Sequence, residues 1–438
     1  MKRTTTAFIF FTLLVSICPV ALSAQTTSDD AALIAKARKI HEKVITLDTH
    51  NDISTTNFTD TVNYSQDLPN QVNIPKMRKG GLDVSWMIVY TGQGPLTDAG
   101  YAAAYKNAID KFDAIHRLTE KIAPNDIGLA LTSNDVRRLV KAGKLVAMIG
   151  VENGYPIGND LGRIKEFADR GARYMSLAHN GHSQLADSNT GEADGKWLHN
   201  GLSDLGKKAI AELNKWGIMI DLSHPSKESN IQAIKLSRAP VIASHSGARA
   251  ISNHSRNIDD EVLELIKQNG GVVQAVAFRA YVNGKKNEAR SARSTEITRE
   301  LAAKEGITIL PRGEAFRLPE AERTAYMKKL TDFRTRNASI LQEKLKDVPD
   351  VDVKDFVDHI DYLVKKMGID HVGISSDFDG GGGVQGWDSA AETFNVTLEL
   401  VRRGYTEKQI EKLWSGNLLR VLDEVQKVAK KIQAETAK

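Results

Sequence analysis

The sequence predicts an α/β chain folded as a (β/α)8 TIM-type barrel, with a helical insertion between strands seven and eight. Three observations carry that expectation. Eight apolar, β-branched runs recur along the chain, amphipathic stretches separate them, and polar residues stand where the runs stop. Near-continuous apolar runs alternating with helices imply a parallel sheet buried on both faces. Eight such units suit a barrel, a fold that tolerates insertions to more than about 400 residues.

The first 24 residues are expected to be a secretory signal, leaving residues 25–438 as a single barrel domain. Lys2 and Arg3 form a basic head, Ala7 to Cys18 an apolar stretch broken by Thr12 and Ser16, and Pro19 to Ala24 a small-residue segment suited to cleavage. The stretch is too short for a comfortable membrane span. Cys18 would be the anchor of a lipoprotein, but Ile17 before it fits that poorly. It is also the only cysteine, so the mature chain is expected to be held by its core without disulfides, in a bacterial periplasm.

Beyond the leader the elements follow in order. The runs are Val44–His50, Leu82–Tyr90, Leu145–Glu152, Arg173–His179, Gly217–His224, Pro240–His245, Gly271–Phe278 and His371–Asp377. Helical apolar spacing marks Ala102–Ile122, Leu161–Arg170, Asp204–Lys215, Asp259–Gln268 and Asp355–Met367. Residues 280–352 break the pattern. They are charge-rich, contain no histidine, and read as a solvated helical excursion on the side where active-site lids are built. The tail "QKVAKKIQAETAK" is expected to be helical, then frayed. Lys and Arg number 59 against 55 Asp and Glu, which argues against nucleic acid or an anionic membrane as the main partner.

The stretch "ITLDTHNDIS" places His50 and Asp52 where a buried strand should finish. Residues i and i+2 of an extended strand share a face, a geometry that suits two ligands of one metal ion. Glu152 ends the third run, His179 the fourth, His224 the fifth, His245 the sixth and Asp377 the eighth. In a barrel these ends meet at one mouth. A single strand-end histidine is ordinarily structural, but a convergent set of acids and imidazoles points to a metal site. Without thiolate, that set suits zinc ahead of manganese, cobalt or iron. Five candidates, His50, Asp52, Glu152, His224 and His245, exceed the needs of one catalytic zinc. They suit two ions sharing a carboxylate, held about 3.5–4 Å apart.

The segments "DTHND", "NIPKMRKGGLDVSWMIVY", "GVENG", "RYMSLAHN", "GIMIDLSHPS", "SRAPVIASHSGAR", "RNIDDE", "HVGISSDFDG" and "GNLLRVL" resemble the membrane (renal) dipeptidase family of zinc hydrolases. The resemblance runs from about Ala31 to Lys427, interrupted mainly at 280–352. It implies a barrel-fold metallo-dipeptidase, a homodimer, cleaving dipeptides (some with a C-terminal D-residue) by a hydroxide bridging two zinc ions. It implies that His50 and Asp52 bind the first zinc, His224 and His245 the second, and Glu152 both. His179, Arg256 and Asp377 fall on substrate-binding and catalytic positions. Chemistry supports each role. An imidazole at His179 can stabilise a developing oxyanion, and Asp377 can shuttle a proton to the leaving amine. The planar fork of Arg256 matches the free carboxylate of a dipeptide, its plainer alternative being an ion pair with Asp259 or Asp260.

Animal members of that family depend on disulfides and a C-terminal lipid anchor, and this chain shows neither, so substrate preference is the least transferable property. Two other readings compete. A different binuclear amidohydrolase, acting on N-acyl amino acids or cyclic amides, would typically open with His-x-His and bridge its metals with a modified lysine. Here the spacing is His50-Asn51-Asp52, and the bridging strand ends in Glu152. A non-catalytic exported metal- or peptide-binding protein would not need His179 and Asp377. Among weaker features, "DFDGGGG" lacks the Lys-Ser or Lys-Thr of a phosphate loop, and its glycines are expected to let the loop turn sharply. His182 and Asp187 read as loop residues near the pocket, and Asn417 as lying near a helix cap.

Overall fold

Apolar residues fill both faces of a nine-stranded parallel sheet, and eight of its strands follow one another in chain order around a nearly closed barrel. The strands are β1 (Leu47–Asp52), β2 (Val84–Tyr90), β3 (Ile127–Leu129), β4 (Leu145–Glu152), β5 (Ala172–Ser176), β6 (Met219–Asp221), β7 (Ile242–Ser246), β8 (Val272–Val276) and β9 (Val372–Ser375). The sequence reading lacked only β3, a short strand on the edge of β4 that β5 takes over at Ile149. The computed structural model describes residues 20–437. The expected leader lies outside them except for residues 20–24, which belong to the helix Val20–Lys43.

The barrel is polarised along its axis. At the N-terminal end, first-turn strand residues Leu47, Val84, Met219, Ile242 and Val272 form one apolar cluster with Leu418, Leu422 and Val425 of the C-terminal helix, Asn417–Thr436. Inside the barrel Trp86 stacks on Tyr174 with ring centroids 5.0 Å apart. Apolar packing therefore closes one end, and the histidines and acids that end the strands gather at the other. Helices begin where side chains satisfy the free N–H groups of the first turn, as at Thr97, Ser203, Ser226, Asp259 and Asp352. Asn417 does not cap its helix. Its amide donates to the carbonyls of Ile369 and Val372, tying the helix to β9.

Two strands carry a bulge close to the mouth. The register of β1 against β2 shifts between Asp48 and Asn51, and that of β7 against β8 shifts between Ala243 and Ser246. Each shift inserts one extra residue, which bends the strand and redirects its side chains. His50 and His245 lie within these two bulges.

The insertion is helical, as its composition predicts. Helices Gly284–Lys304, Arg312–Arg317 and Glu320–Leu345 surround a core of their own, built from Ile297, Leu301, Ile307, Leu330, Phe333 and Leu345. It joins β8 to the helix Val353–Met367, so it rises from the mouth side. Its two ends are pinned together: Arg279 meets Asp350 at 3.1 Å and Asp388 at 2.8 Å, and Lys286 meets Asp355 at 2.7 Å. Among the described residues no helix is long and apolar enough to cross a membrane.

A separate core and adjacent ends make the excursion removable. Replacing residues 287–347 with a short Gly/Ser linker is expected to leave a cooperatively folding barrel, because closing such a loop costs little entropy. Circular dichroism and thermal melting check this. A variant without a cooperative transition would show that the insertion is part of the barrel's folding unit.

Candidate active site

The strand-end residues converge at the mouth on Glu152. Its Oε1 lies 2.9 Å from His224 Nε2, 3.3 Å from His245 Nε2 and 3.8 Å from His179 Nε2, while its Oε2 lies 3.5 Å from His50 Nε2. His50 Nε2 is also 3.8 Å from Asp52 Oδ2. The residues sort into overlapping sets able to hold an ion: His50, Asp52 and Glu152; Glu152, His179 and His224; His50, His245 and Asp377. All seven strand-end candidates from the sequence are thus brought together. His179 and Asp377 stand within reach of the same centre as the five expected ligands.

Hydrogen bonds behind the imidazoles fix which nitrogen faces inward. Tyr174 donates its hydroxyl hydrogen to Thr49 O at 3.0 Å, so at 2.9 Å it accepts from His50 Nδ1–H. Ser244 likewise donates to Asp221 at 2.8 Å and accepts from His245 Nδ1–H at 2.8 Å. Both histidines therefore turn Nε2 toward the centre, the nitrogen whose lone pair metal ligation would use. His50 Nε2 and Asp52 Oδ1 are buried without a hydrogen-bond partner. Buried, unpartnered atoms beside the Glu152 carboxylate fit a divalent cation, whose charge would satisfy what the protein leaves unpaired.

Burial opposes a charge on His50, but Glu152, with Asp377 and Asp52 behind it, raises the imidazole to about 9. The same electrostatics place a second proton on His50 when no cation is present, a proton that a metal ion would displace to reach Nε2. Burial also opposes the Glu152 carboxylate, yet His50, His179 and His224 hold it well below the usual range. Asp52 is raised to about 6 by burial and then by Glu152. Asp377 reaches about 8, through burial and the nearby carboxylates. Burial and Arg256 push His224 well down, and burial and His50 push His245 well down, so both favour the neutral, ligating form.

The "DFDGGGG" loop has a definite task. Asp377 and Asp379 both take φ of 60°, and Asn153, which follows Glu152, takes 77°. Asp and Asn are the non-glycine residues that best accept that left-handed region, and such backbone clusters at functional sites. A Cβ on Gly380 would lie 2.4 Å from both Asp52 Oδ2 and Asp377 Oδ1. Glycine is there so that two carboxylates can approach one another.

Arg256 is buried, and its guanidinium donates to the carbonyls of Ser223 and, at 3.2 Å, His245. Its plainer alternative is not formed: Asp259 pairs with Lys227 at 3.0 Å and Asp260 with Lys366 at 2.9 Å. His182 and Asp187 do not line the cleft. Asp187 is buried and accepts from the backbone of Leu198, His199 and Gly201, while His182 accepts from Ser188 N–H, so together they shape the loop after β5.

The cleft has a volume of about 530 Å³, and its walls include residues the sequence reading passed over: Tyr90, Lys111, Tyr281 and Asp379. Tyr90 ends β2, so its strand-end position was a signal. Tyr281 brings the start of the 280–352 segment to the rim of the cleft, on the side where the sequence places a lid. It lies at the root of that segment, stacked on Phe278 with centroids 4.2 Å apart. Tyr174 had no signal, since it acts from within an apolar strand.

Tyr174→Phe keeps the stack on Trp86 and removes the acceptor that orients His50. It is expected to weaken metal affinity by roughly ten- to a hundredfold with little change in fold. Competition against a chromophoric chelator measures this, and unchanged affinity would mean that His50 is oriented by packing alone.

Comparison with known proteins gives this arrangement a family. A family model described as membrane dipeptidase, peptidase family M19, matches residues 34–436. The structure of the probable dipeptidase PvdM from Pseudomonas aeruginosa superposes with a TM-score of 0.74 at 33% identity, covering 91% of this chain and 100% of that one. Dipeptidase tcpJ of Claviceps purpurea is 28% identical over 370 residues, 83% of this chain and 72% of the relative. A metallopeptidase from Rhodobacter sphaeroides, liganded with a phosphinate mimic of L-Ala-D-Ala, shares the fold at a TM-score of 0.65 and 19% identity, over 87% of this chain and 99% of that one. The chain therefore belongs to the membrane dipeptidase family, peptidase family M19.

Proposed function

We propose that this protein is a dipeptidase that uses two zinc ions to hydrolyse the peptide bond of dipeptides, including those ending in a D-residue. The observation that carries the reading is the division of Glu152: one oxygen faces His224 and His245, the other faces His50. His50, Asp52 and Glu152 would hold one ion, and Glu152, His224 and His245 the other. When bound, such ions lower the pKa of a water molecule toward neutrality and polarise a nearby carbonyl.

The chain's own residues do the rest. Arg256, fixed by two backbone carbonyls, holds the substrate's free carboxylate and so sets the peptide's length and direction. His179 stands beside Glu152 and against the ring of Tyr90, at a centroid distance of 4.7 Å, where it can donate to the carbonyl oxygen as negative charge grows there. Asp377 takes the proton that the attacking water loses and delivers it to the nitrogen as the C–N bond breaks. The products are two amino acids. Export through the residue 1–24 leader to a periplasm, and a homodimeric state, are parts of the same proposal. N-terminal sequencing of the mature protein and light scattering test them.

Elemental analysis of purified protein is expected to give about two zinc equivalents, and chelation to abolish cleavage of a dipeptide panel that includes L-Ala-D-Ala. Glu152→Gln should lose both ions. A dipeptide should be cleaved about ten- to a hundredfold better than its C-terminal amide, and Arg256→Ala should remove most of that difference. Equal rates on acid and amide in the unaltered protein would refute the role of Arg256. Activity indifferent to chelation would refute the metal mechanism.

A further inference from the structure

We infer that Lys111 forms a second anion-holding position in the cleft and selects dipeptides whose first residue carries a carboxylate side chain. The inference rests on the dipeptidase reading above and deepens it.

Lys111 occupies an unusual place for a lysine. On the helix Asp98–Arg117 the buried face runs Ala104, Ala108, Lys111, Ile115, a stripe that is otherwise apolar. Lysine is rarely buried without a partner, since removing an ammonium from water is costly. Yet Lys111 is only 8% exposed, and among the described residues it forms neither a hydrogen bond nor an ion pair. Burial disfavours its charge, while Asp52 and Glu152 favour it from a distance. Its ammonium lies 5.2 Å from the centroid of Tyr90 and opens into the cleft.

A run of ring contacts links the two cations that line the cleft, Lys111 and Arg256. The rings follow in sequence: Tyr90 against His179 at 4.7 Å, then His179 against His224 at 4.0 Å. Lys111 lies over the first ring. Arg256 lies past the last, bonded to Ser223 O and His245 O. A dipeptide whose terminal carboxylate rests on Arg256 therefore extends its first residue toward Lys111. A glutamate or aspartate side chain there would give the ammonium the partner that the protein withholds.

The competing explanation is that Lys111 only offsets the negative charge of Asp52 and Glu152. Substrate pairs separate the two. For the zinc-loaded full chain, kcat/KM is compared on Glu-Ala, its neutral isostere Gln-Ala, and Ala-Ala. Glu-Ala is expected to exceed Gln-Ala by about tenfold or more, mainly through KM. Lys111→Met should bring that ratio to about one, and Lys111→Arg should keep it above one, with melting temperature and zinc content followed in each variant. Efficient cleavage of Ala-Ala with no preference for Glu-Ala would overturn the inference and leave the dipeptidase reading intact. So would a Lys111→Met variant that loses zinc and slows on all three substrates alike, which would make Lys111 a counter-charge. Failure of the zinc-loaded chain to cleave any of the three would defeat the dipeptidase reading, and this inference with it.

Discussion

A buried carboxylate with an imidazole against each of its oxygens is the constraint on which this structure turns. Glu152 ends a strand whose every residue is buried, and it meets solvent only through the cleft. Removing an ionised carboxylate from water costs several kcal/mol even after the protein relaxes. That cost is offset only if cationic groups approach both oxygens. β1, β6 and β7 meet the demand by delivering His50, His224 and His245, and the segment after β5 adds His179. Four histidines cannot all be protonated within 4 Å of one acid without repelling one another. The centre is therefore balanced best by metal cations and neutral imidazoles.

Two seams of the barrel carry little backbone pairing. β6 and β7 share a single registered pair, Asp221 with Ile242, and β9 meets β1 through one bridge between Asn51 and Phe378. Each seam is reinforced by a buried aspartate that reaches across it. Asp221 accepts from Ser244 N–H at 2.7 Å, and Asp48 accepts from Ser376 N–H at 2.9 Å. These acids also connect to the ligand set. Asp221 acts through Ser244 on His245, while Asp48 holds Asn51 beside His50. Where backbone pairing gives out, side-chain hydrogen bonds close the barrel and aim the imidazoles together, so stability and site geometry share the same atoms.

This explains what the sequence could reveal. Barrel strands read clearly because runs such as "LVAMIGVE" are apolar throughout, and Glu152 or Asp52 is conspicuous at the end of such a run. The expectation that His50 and Asp52 share a face is met in outcome, but through a bulge that strict alternation does not foresee. Bulges depend on pairing with a neighbouring strand, which no local pattern encodes. Tyr174 was illegible for a related reason: a tyrosine inside an apolar strand looks like packing until its hydroxyl is seen between Thr49 O and His50. Lys111 did carry a signal, a cation in the apolar stripe of a helix, although only the fold reveals that this stripe borders the cleft. Asn417 marks the start of its helix as the sequence suggested, but its side chain serves long-range carbonyls instead of the first turn, a use no local pattern encodes.

The cleft separates a rigid centre from a rim free to change. The histidines and Glu152 are buried on strands or just past them, locked by bonds to other strands. Tyr281 and Phe278, in contrast, stand where the insertion leaves the barrel, and the insertion keeps its hydrophobic core to itself. The insertion's cluster and the barrel's cluster share no residues. Arg256 couples the two regions: its guanidinium is bonded to carbonyls on the metal side and lies 5.4 Å over the ring of Tyr281 on the rim side. A change in how the insertion seats Tyr281 would therefore reach the Arg256 guanidinium before it reached the histidines around Glu152, and the rim could alter while that centre stayed in place.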